Sequence, residues 1–324
     1  MDCTVVRSIN LRCLDDGLRR RGHAETGVCP RVENTHYWRK RRRKMTSKSF
    51  FTLSERIDEV FFFIGAAVLL IEVLEAIFKG NLRKKTLMEM LASASTQIPF
   101  LLAEIFVMTF AYGVLYMVSA NFVSWQIPTT WVTVIVALVL VDLTYYWEHR
   151  IAHQVRLLWT QHAVHHSSRD YNIITSIRFG PFESLWALIM HIPLVLIGFA
   201  PDVVFGCSLI VLGYQTWLHT EVIGKLGPME WVLNTPSHHR VHHGADAKYL
   251  DKNYGGILII WDRMFGSFQV EEERPRYGLT TDFDSQNPIK VWFSELPALM
   301  KDLRNAKSGQ EVWMRLFGRP GWKP

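Results

Sequence analysis

The stretch Thr129-Thr-Trp-Val-Thr-Val-Ile-Val-Ala-Leu-Val-Leu-Val-Asp142-Leu-Thr-Tyr-Tyr-Trp-Glu-His149-Arg-Ile-Ala-His153 decides the class of this 324-residue chain. An apolar run of about 20 residues is what a helix needs to cross a hydrocarbon layer of about 30 Å. Continued to His153 as one helix it is 25 residues long, about 37 Å at 1.5 Å per residue. The helix therefore outlasts the layer and presents His149 and His153 just above it. Residues four apart lie on one helix face, so both imidazoles can point at one site.

Four further apolar runs flank this one: Val60–Phe78, Pro99–Val123, Phe182–Ala200 and Val203–Leu218. The expected fold is all-α: a multi-pass bundle of four to five transmembrane spans, near 60–78, 99–123, 129–147, 182–200 and 203–218. The last two are divided by Pro201 and Asp202, which reads as a helical hairpin, because Pro opens helices and does not continue them. Connections 121–127 and 200–202 contain no Lys or Arg, whereas Arg150, Arg156, Arg169 and Arg178 follow the third span. Positive loops stay cytoplasmic. A histidine-rich helical cap is thus expected on the cytoplasmic face. Lys79, Arg83, Lys84 and Lys85 put the first connection there too. The same rule conflicts with a basic N-terminus on the far side if 60–78 spans; an in-plane first segment or a start at Met45 relieves that conflict.

Overall composition would mislead here: 49% hydrophobic residues and a mean hydropathy of only +0.07 conceal strong segregation. Net charge is +6, but residues 1–44 hold 12 Lys+Arg against 5 Asp+Glu, leaving −1 for the remainder. Basicity belongs to a disordered extension, 1–44, and the domain 45–324 carries no signature of a nucleic-acid partner. Cys3, Cys13 and Cys29 lie in that extension, and Cys207 stands alone in an apolar stretch. A disulfide framework is excluded for the body, and core packing is the reading for Cys207.

Ten of the 13 histidines fall between His149 and His243, leaving aside His191. After His149-Arg-Ile-Ala-His153 come His162-Ala-Val-His165-His166 and His238-His239-Arg-Val-His242-His243. One HxxxH alone is explained as well by polar residues on a helix surface. Three linked motifs are not, since so dense a cluster repels itself when protonated, and a bound cation removes that problem. His219 ends the fifth span at the same level, whereas His191 lies mid-span and reads as a helix-packing residue. Nine or ten imidazoles exceed the three or four ligands that one zinc takes, so two metals are expected. Ligand type alone leaves iron, zinc, copper and nickel open.

These boxes and their flanks resemble the membrane fatty acid hydroxylase and sterol desaturase superfamily. The words that carry the likeness include His165-His-Ser-Ser-Arg-Asp-Tyr-Asn172, Trp217-Leu-His219-Thr-Glu221, Asp251-Lys-Asn-Tyr-Gly-Gly256 and Trp261-Asp-Arg-Met-Phe-Gly266. The set looks most like the alkylglycerol-monooxygenase-like branch, strongly over 100–277 and loosely to 322. What the resemblance implies is a di-iron enzyme that uses O2 to hydroxylate a lipid, whether ether lipid, sterol or acyl chain, in the endoplasmic reticulum or a bacterial inner membrane. By position the ligands of two Fe ions would be His149, His153, His162, His165, His166, His219, His239, His242 and His243. His238 is a possible further ligand. Asp142, Asp170 and Glu221 are candidates to support the ligands, and Glu148 reads as a solvated surface group. The reductant would be tetrahydrobiopterin or an electron-transfer protein of cytochrome or ferredoxin type. The alternatives are a desaturase of the same superfamily, a histidine-rich metal transporter and a membrane zinc hydrolase.

Two readings concern the C-terminal third. Gly256–Trp261 is too short to span and packs on the metal domain or the interface. The apolar residues Ile289, Trp292, Phe293, Leu296, Leu299, Met300 and Leu303 recur at three- and four-residue intervals, as an amphipathic helix on the membrane or over the cap.

Overall fold

The computed structural model describes residues 45–80 and 82–324. The extension expected at 1–44 lies outside the described residues. Among those described, the chain is helical and has no strand, only isolated bridges pairing Leu233 with Leu258 and Gly244 with Tyr277.

Helix α1 (Ser47–Phe78) starts 13 residues before the expected span, because Thr46 and Ser49 form a reciprocal capping box that satisfies its first free N–H groups. Helices α2 (Lys84–Ser95) and α3 (Gln97–Phe122) meet at Thr96, and α4 (Trp131–Gln154) opens on a second capping box, Thr130 with Thr133. Three helical stretches, 47–78, 84–122 and 131–154, are long and apolar enough to cross a membrane. The chain is an integral membrane protein. The fourth and fifth expected spans exist as α6 (Leu185–Ile197) and α7 (Pro201–Thr216), but they are 13 and 16 residues long, shorter than a crossing. Between α4 and α6, α5 (Arg156–His166) carries the second histidine box. The cap is completed by α8 (Pro236–His242), α9 (Ile260–Phe265), α10 (Pro288–Trp292), α11 (Leu296–Arg304) and α12 (Gly309–Phe317).

The cation-free connections lie together at one end, as their charge implied. Trp125 Nε1 donates to the carbonyl of Ile197 at 2.8 Å, and the Ile127 N–H to that of Gly198 at 2.9 Å. Ser47 Oγ reaches Asp202 at this end as well (3.2 Å), so α1 runs from it toward the histidines, parallel to α7. The two helices approach closely because α7 has no side chain at two contacts. A Cβ on Gly206 would stand 2.8 Å from Ser54 Oγ, and one on Gly213 2.5 Å from Asp58 Oδ1 and 2.9 Å from Phe61. Close backbone approach through small residues is a general device of helix pairs in membranes.

The main core, with Leu115, Ala137, Val141, Val195, Val204, Cys207 and Val211 at its centre, joins α3, α4, α6 and α7. Cys207 is free and fully buried there. His191 bonds Ser208 at 2.9 Å within the bundle, as a packing residue should. Glu148 departs from its expected surface position: it lines a small cavity between α4, α6 and α7 with His191 and Ser208. The expected amphipathic helix is divided into α10 and α11 at Phe293–Glu295, and their buried residues, Val291 and Leu299, turn inward. These helices pack on α2 and α5, which is the cap-covering alternative.

Candidate metal centre

Nine buried histidines fall into two groups. His149, His153, His162, His166 and His242 bring one ring nitrogen each within 4.8 Å of one another, and His165, His219, His239 and His243 do the same. Helical spacing explains the division. In α5, His162 and His166 are one turn apart and face the first group, while His165 between them faces the second. At α8 the arrangement is reversed: His239 and His243 join the second group and His242 the first. Each HxxHH box thus serves both groups.

The rings are held from behind. His149 Nδ1 donates to the Tyr254 carbonyl (3.0 Å), His165 to Arg178 (3.2 Å), His219 to Gln215 (2.9 Å) and His242 to Lys252 (2.9 Å). A carbonyl oxygen can only accept, so these four tautomers are fixed with a bare Nε2. His162 Nδ1 meets the Glu183 carboxylate at 2.5 Å. The bare nitrogens then point at other ring nitrogens: His165 and His219 face each other at 3.1 Å, His149 faces His162 Nε2 at 3.0 Å, and His242 faces His166 Nε2 at 3.1 Å. Lone pairs at that distance repel unless something positive sits among them. Further buried nitrogens, His153 Nε2 and His243 Nε2, have no partner at all, a state that ordinarily costs about 1–3 kcal/mol each. Five plus four imidazoles with converging lone pairs fit two cations.

Burial also keeps these rings neutral. It pushes His219 down to about 4 and His242 to about 3, and holds His165, His166, His239 and His243 well below the usual histidine range, with neighbouring imidazoles adding to the shift. Neutral imidazole is the form that binds metal.

The carbonyls behind the rings are themselves secured. Asp142 accepts from the N–H groups of Ile257 (2.6 Å) and Leu258 (3.1 Å) and from Trp261 Nε1 (2.8 Å). Asp262 accepts from Tyr254 and Gly255, each at 2.8 Å, so two carboxylates fix the loop that carries the Tyr254 carbonyl. Arg178 is fully buried, pairs with Glu89 of α2 at 3.0 Å, and bonds Val164 and Ser167 at the end of α5. Asp142 therefore acts two steps from His149 and touches no histidine.

The other three candidates stand apart from the ligand groups. His238 belongs to neither and packs its ring on Phe268, 5.4 Å between centroids. Its neighbour His239 turns inward because adjacent helical residues point about 100° apart. Glu221 pairs with Arg274 and accepts from Tyr277 (2.9 Å). With Asp170, it lines a cavity of about 640 Å³. Tyr171 separates that cavity from the second group, its ring 5.1 Å from His243 and 5.8 Å from His219. Glu183, which does touch a ligand ring, escapes sequence reading: it sits in a turn 21 residues from His162, with no periodicity linking them. Its own second oxygen is held by the Gly180 N–H at 3.1 Å.

Residues 134–267 match the family model described as fatty acid hydroxylase. That part of the chain contains both histidine groups. Its relatives include alkylglycerol monooxygenase of Homo sapiens, 44% identical over 201 residues, covering 62% of this chain and 44% of the relative. The Caenorhabditis elegans alkylglycerol monooxygenase is 34% identical over 62% of this chain and 41% of its own length. Ornithine lipid hydroxylase OlsE of Rhizobium tropici is 36% identical over 42% of this chain and 41% of the relative. The chain thus spans less than half the length of these curated relatives. No solved structure matches it.

Proposed function

We propose that the protein is a membrane-bound di-iron oxidoreductase that uses O2 to hydroxylate a lipid. The observation that carries this reading is the convergence of Nε2 atoms in two groups, His149 with His162 in one and His165 with His219 in the other. His149, His153, His162, His166 and His242 would hold one Fe ion, and His165, His219, His239 and His243 the second. The match of 134–267 to the fatty acid hydroxylase family supports iron over zinc, and five donors in the first group exceed a tetrahedral zinc set. The activities named for the relatives, alkylglycerol monooxygenase and ornithine lipid hydroxylase, support a lipid carrying a polar headgroup.

Bound iron would supply reductive activation of O2, in the balance C–H + O2 + 2 e⁻ + 2 H⁺ → C–OH + H2O. The polypeptide's part is orientation and exclusion. Backbone carbonyls and Glu183 keep the imidazoles aimed, and burial keeps water from the reacting carbon. The cavity beside Tyr171, with charged walls one ring away from His243, supports an approach for the electron donor, tetrahydrobiopterin or an electron-transfer protein of cytochrome or ferredoxin type. The charge of the loops supports a cytoplasmic placement of the centre, in the endoplasmic reticulum or a bacterial inner membrane.

The test is turnover by iron-reconstituted protein in lipid nanodiscs with O2 and a reductant, followed by mass spectrometry. Incorporation of one oxygen atom from ¹⁸O2 into an ether, sterol or acyl lipid is the expected result. A product bearing a new double bond and no oxygen would transfer the protein to the desaturases. Inactivity toward all three lipid classes would overturn the reading.

A further inference from the structure

Loop 254–262 lies deeper than a cap resting on the membrane surface allows. It is tied to α4 at Asp142 through the N–H groups of Ile257 and Leu258. Asp142 is the twelfth residue of α4, about 17 Å from its start at 1.5 Å per residue. The exposed Trp125 and Trp131 mark the far interface, where aromatic side chains gather. Measured from Trp131, the apolar layer of about 30 Å extends to about residue 151. The α6–α7 hairpin, of 13 and 16 residues, falls short of that depth, leaving room beneath the cap.

On the outside of this sunken region is an apolar ledge. Trp231 is 75% exposed, Met264 66%, Met229 52%, Val232 49% and Phe265 38%. Phe265 packs against Trp147 of α4, ring centroids 4.9 Å apart, and the 229–232 segment is joined to the same loop by the Ile259 N–H to the Val232 carbonyl (2.9 Å). The ledge therefore continues the lipid-facing surface of a membrane-spanning helix. The charges at its border suit phosphate. Arg263 is exposed, and Arg150 reaches over to the Phe265 carbonyl at 3.2 Å. Of the nearby carboxylates, Glu230 is turned inward to the Leu226 N–H (2.9 Å) and Thr235 (3.2 Å), and Asp262 is buried on the Tyr254 and Gly255 N–H groups.

We propose that the ledge formed by Met229, Trp231, Val232, Met264 and Phe265 is immersed in the acyl chains of the leaflet on the histidine side, with Arg150 and Arg263 at the level of the phosphates. Amphipathic segments with Trp and Leu-like residues on one side and cations on the other take that position. The histidine groups then lie within the leaflet's thickness, and a lipid reaches them sideways without leaving the bilayer.

Spin-label accessibility tests this in the full chain, with Cys3, Cys13 and Cys29 changed to Ser and the buried Cys207 kept. Nitroxides are attached at Trp231→Cys and Met264→Cys, with Met229→Cys as a third position in case either variant fails to fold, and the protein is placed in phosphatidylcholine nanodiscs. Ile135→Cys on the exposed face of α4 is the lipid reference, and Asp282→Cys, fully exposed on the cap, is the water reference. The ratio of O2 to nickel-complex collision rates is expected to match Ile135 and to exceed Asp282 by about tenfold, since a polar complex is excluded from the apolar layer. A ratio equal to that at Asp282 would overturn the proposal. Protection from both reagents would overturn it too, because it would mean that a protein surface covers the ledge.

Discussion

The Nε2 atoms of His149 and His162 face each other at 3.0 Å while both rings are held by Nδ1, one by the Tyr254 carbonyl and the other by Glu183. With its Nδ1–H given to a carbonyl, neutral His149 aims a bare Nε2 lone pair at His162. The pair makes sense as two ligands around a cation, and the groups behind it become measurable contributors.

Glu183→Gln keeps the shape of the turn but removes the charge behind His162. Groups that support ligating histidines are worth about 10–100-fold in metal affinity or activity, and a loss in that range is expected. Iron content by elemental analysis, beside turnover, checks it. His238→Ala, outside both groups, is expected to retain full iron content.

Acid should both release metal and loosen the cap. The folded-state values of His219, about 4, and His242, about 3, lie below the unfolded value of about 6.5. The unfolded chain therefore binds more protons in that interval, and stability rises with pH across it. The contribution is complete above about 6.5 and disappears as pH falls toward the folded-state values. Melting of the metal-free protein at pH 8, 6.5 and 5 is expected to show a falling midpoint only below pH 6.5. A midpoint flat down to pH 5 would contradict the burial of neutral rings.

Gly213→Leu drives a side chain into Asp58 and Phe61 of α1, where even a Cβ stands 2.5 Å from Asp58 Oδ1. Overpacking of a close contact costs about 1–3 kcal/mol, so unfolding in a detergent titration should move to lower denaturant. Gly113→Leu, where nothing lies within 4 Å of the added Cβ, is the matched control.

Asp142→Ala strips the acceptor from three donors at once, the Ile257 and Leu258 N–H groups and Trp261 Nε1. A buried unpaired donor costs about 1–3 kcal/mol, and the loop bearing the Tyr254 carbonyl loosens with it. Lower thermal stability accompanied by lower iron content is expected. A variant that melts early yet binds iron fully would separate Asp142 from the centre.

What could be read in the chain beforehand depended on periodicity and hydropathy. His149 and His153 were visible as a pair because helical spacing puts them on one face, and His219 because an apolar run ends there. Glu183 and Asp262 were not, since they act from turns whose position relative to the histidines is set by tertiary packing. Helix ends were also out of reach: the capping box at Thr46 extends α1 well into a polar stretch, and Gly198 with Pro201 ends α6 and restarts the chain sooner than hydropathy suggests. The fate of His238 depended on one residue of helical phase.

His165 and His166 are adjacent in the chain, yet they serve different groups. Whatever immobilises α5 through His162 and His166 has already ordered the residue between them. The loss of freedom on filling the second group is then smaller than on filling the first. Loading should be cooperative, with half-filled protein scarce at every iron concentration, and the spacing between the two ions should be governed by the rigidity of a single helical turn.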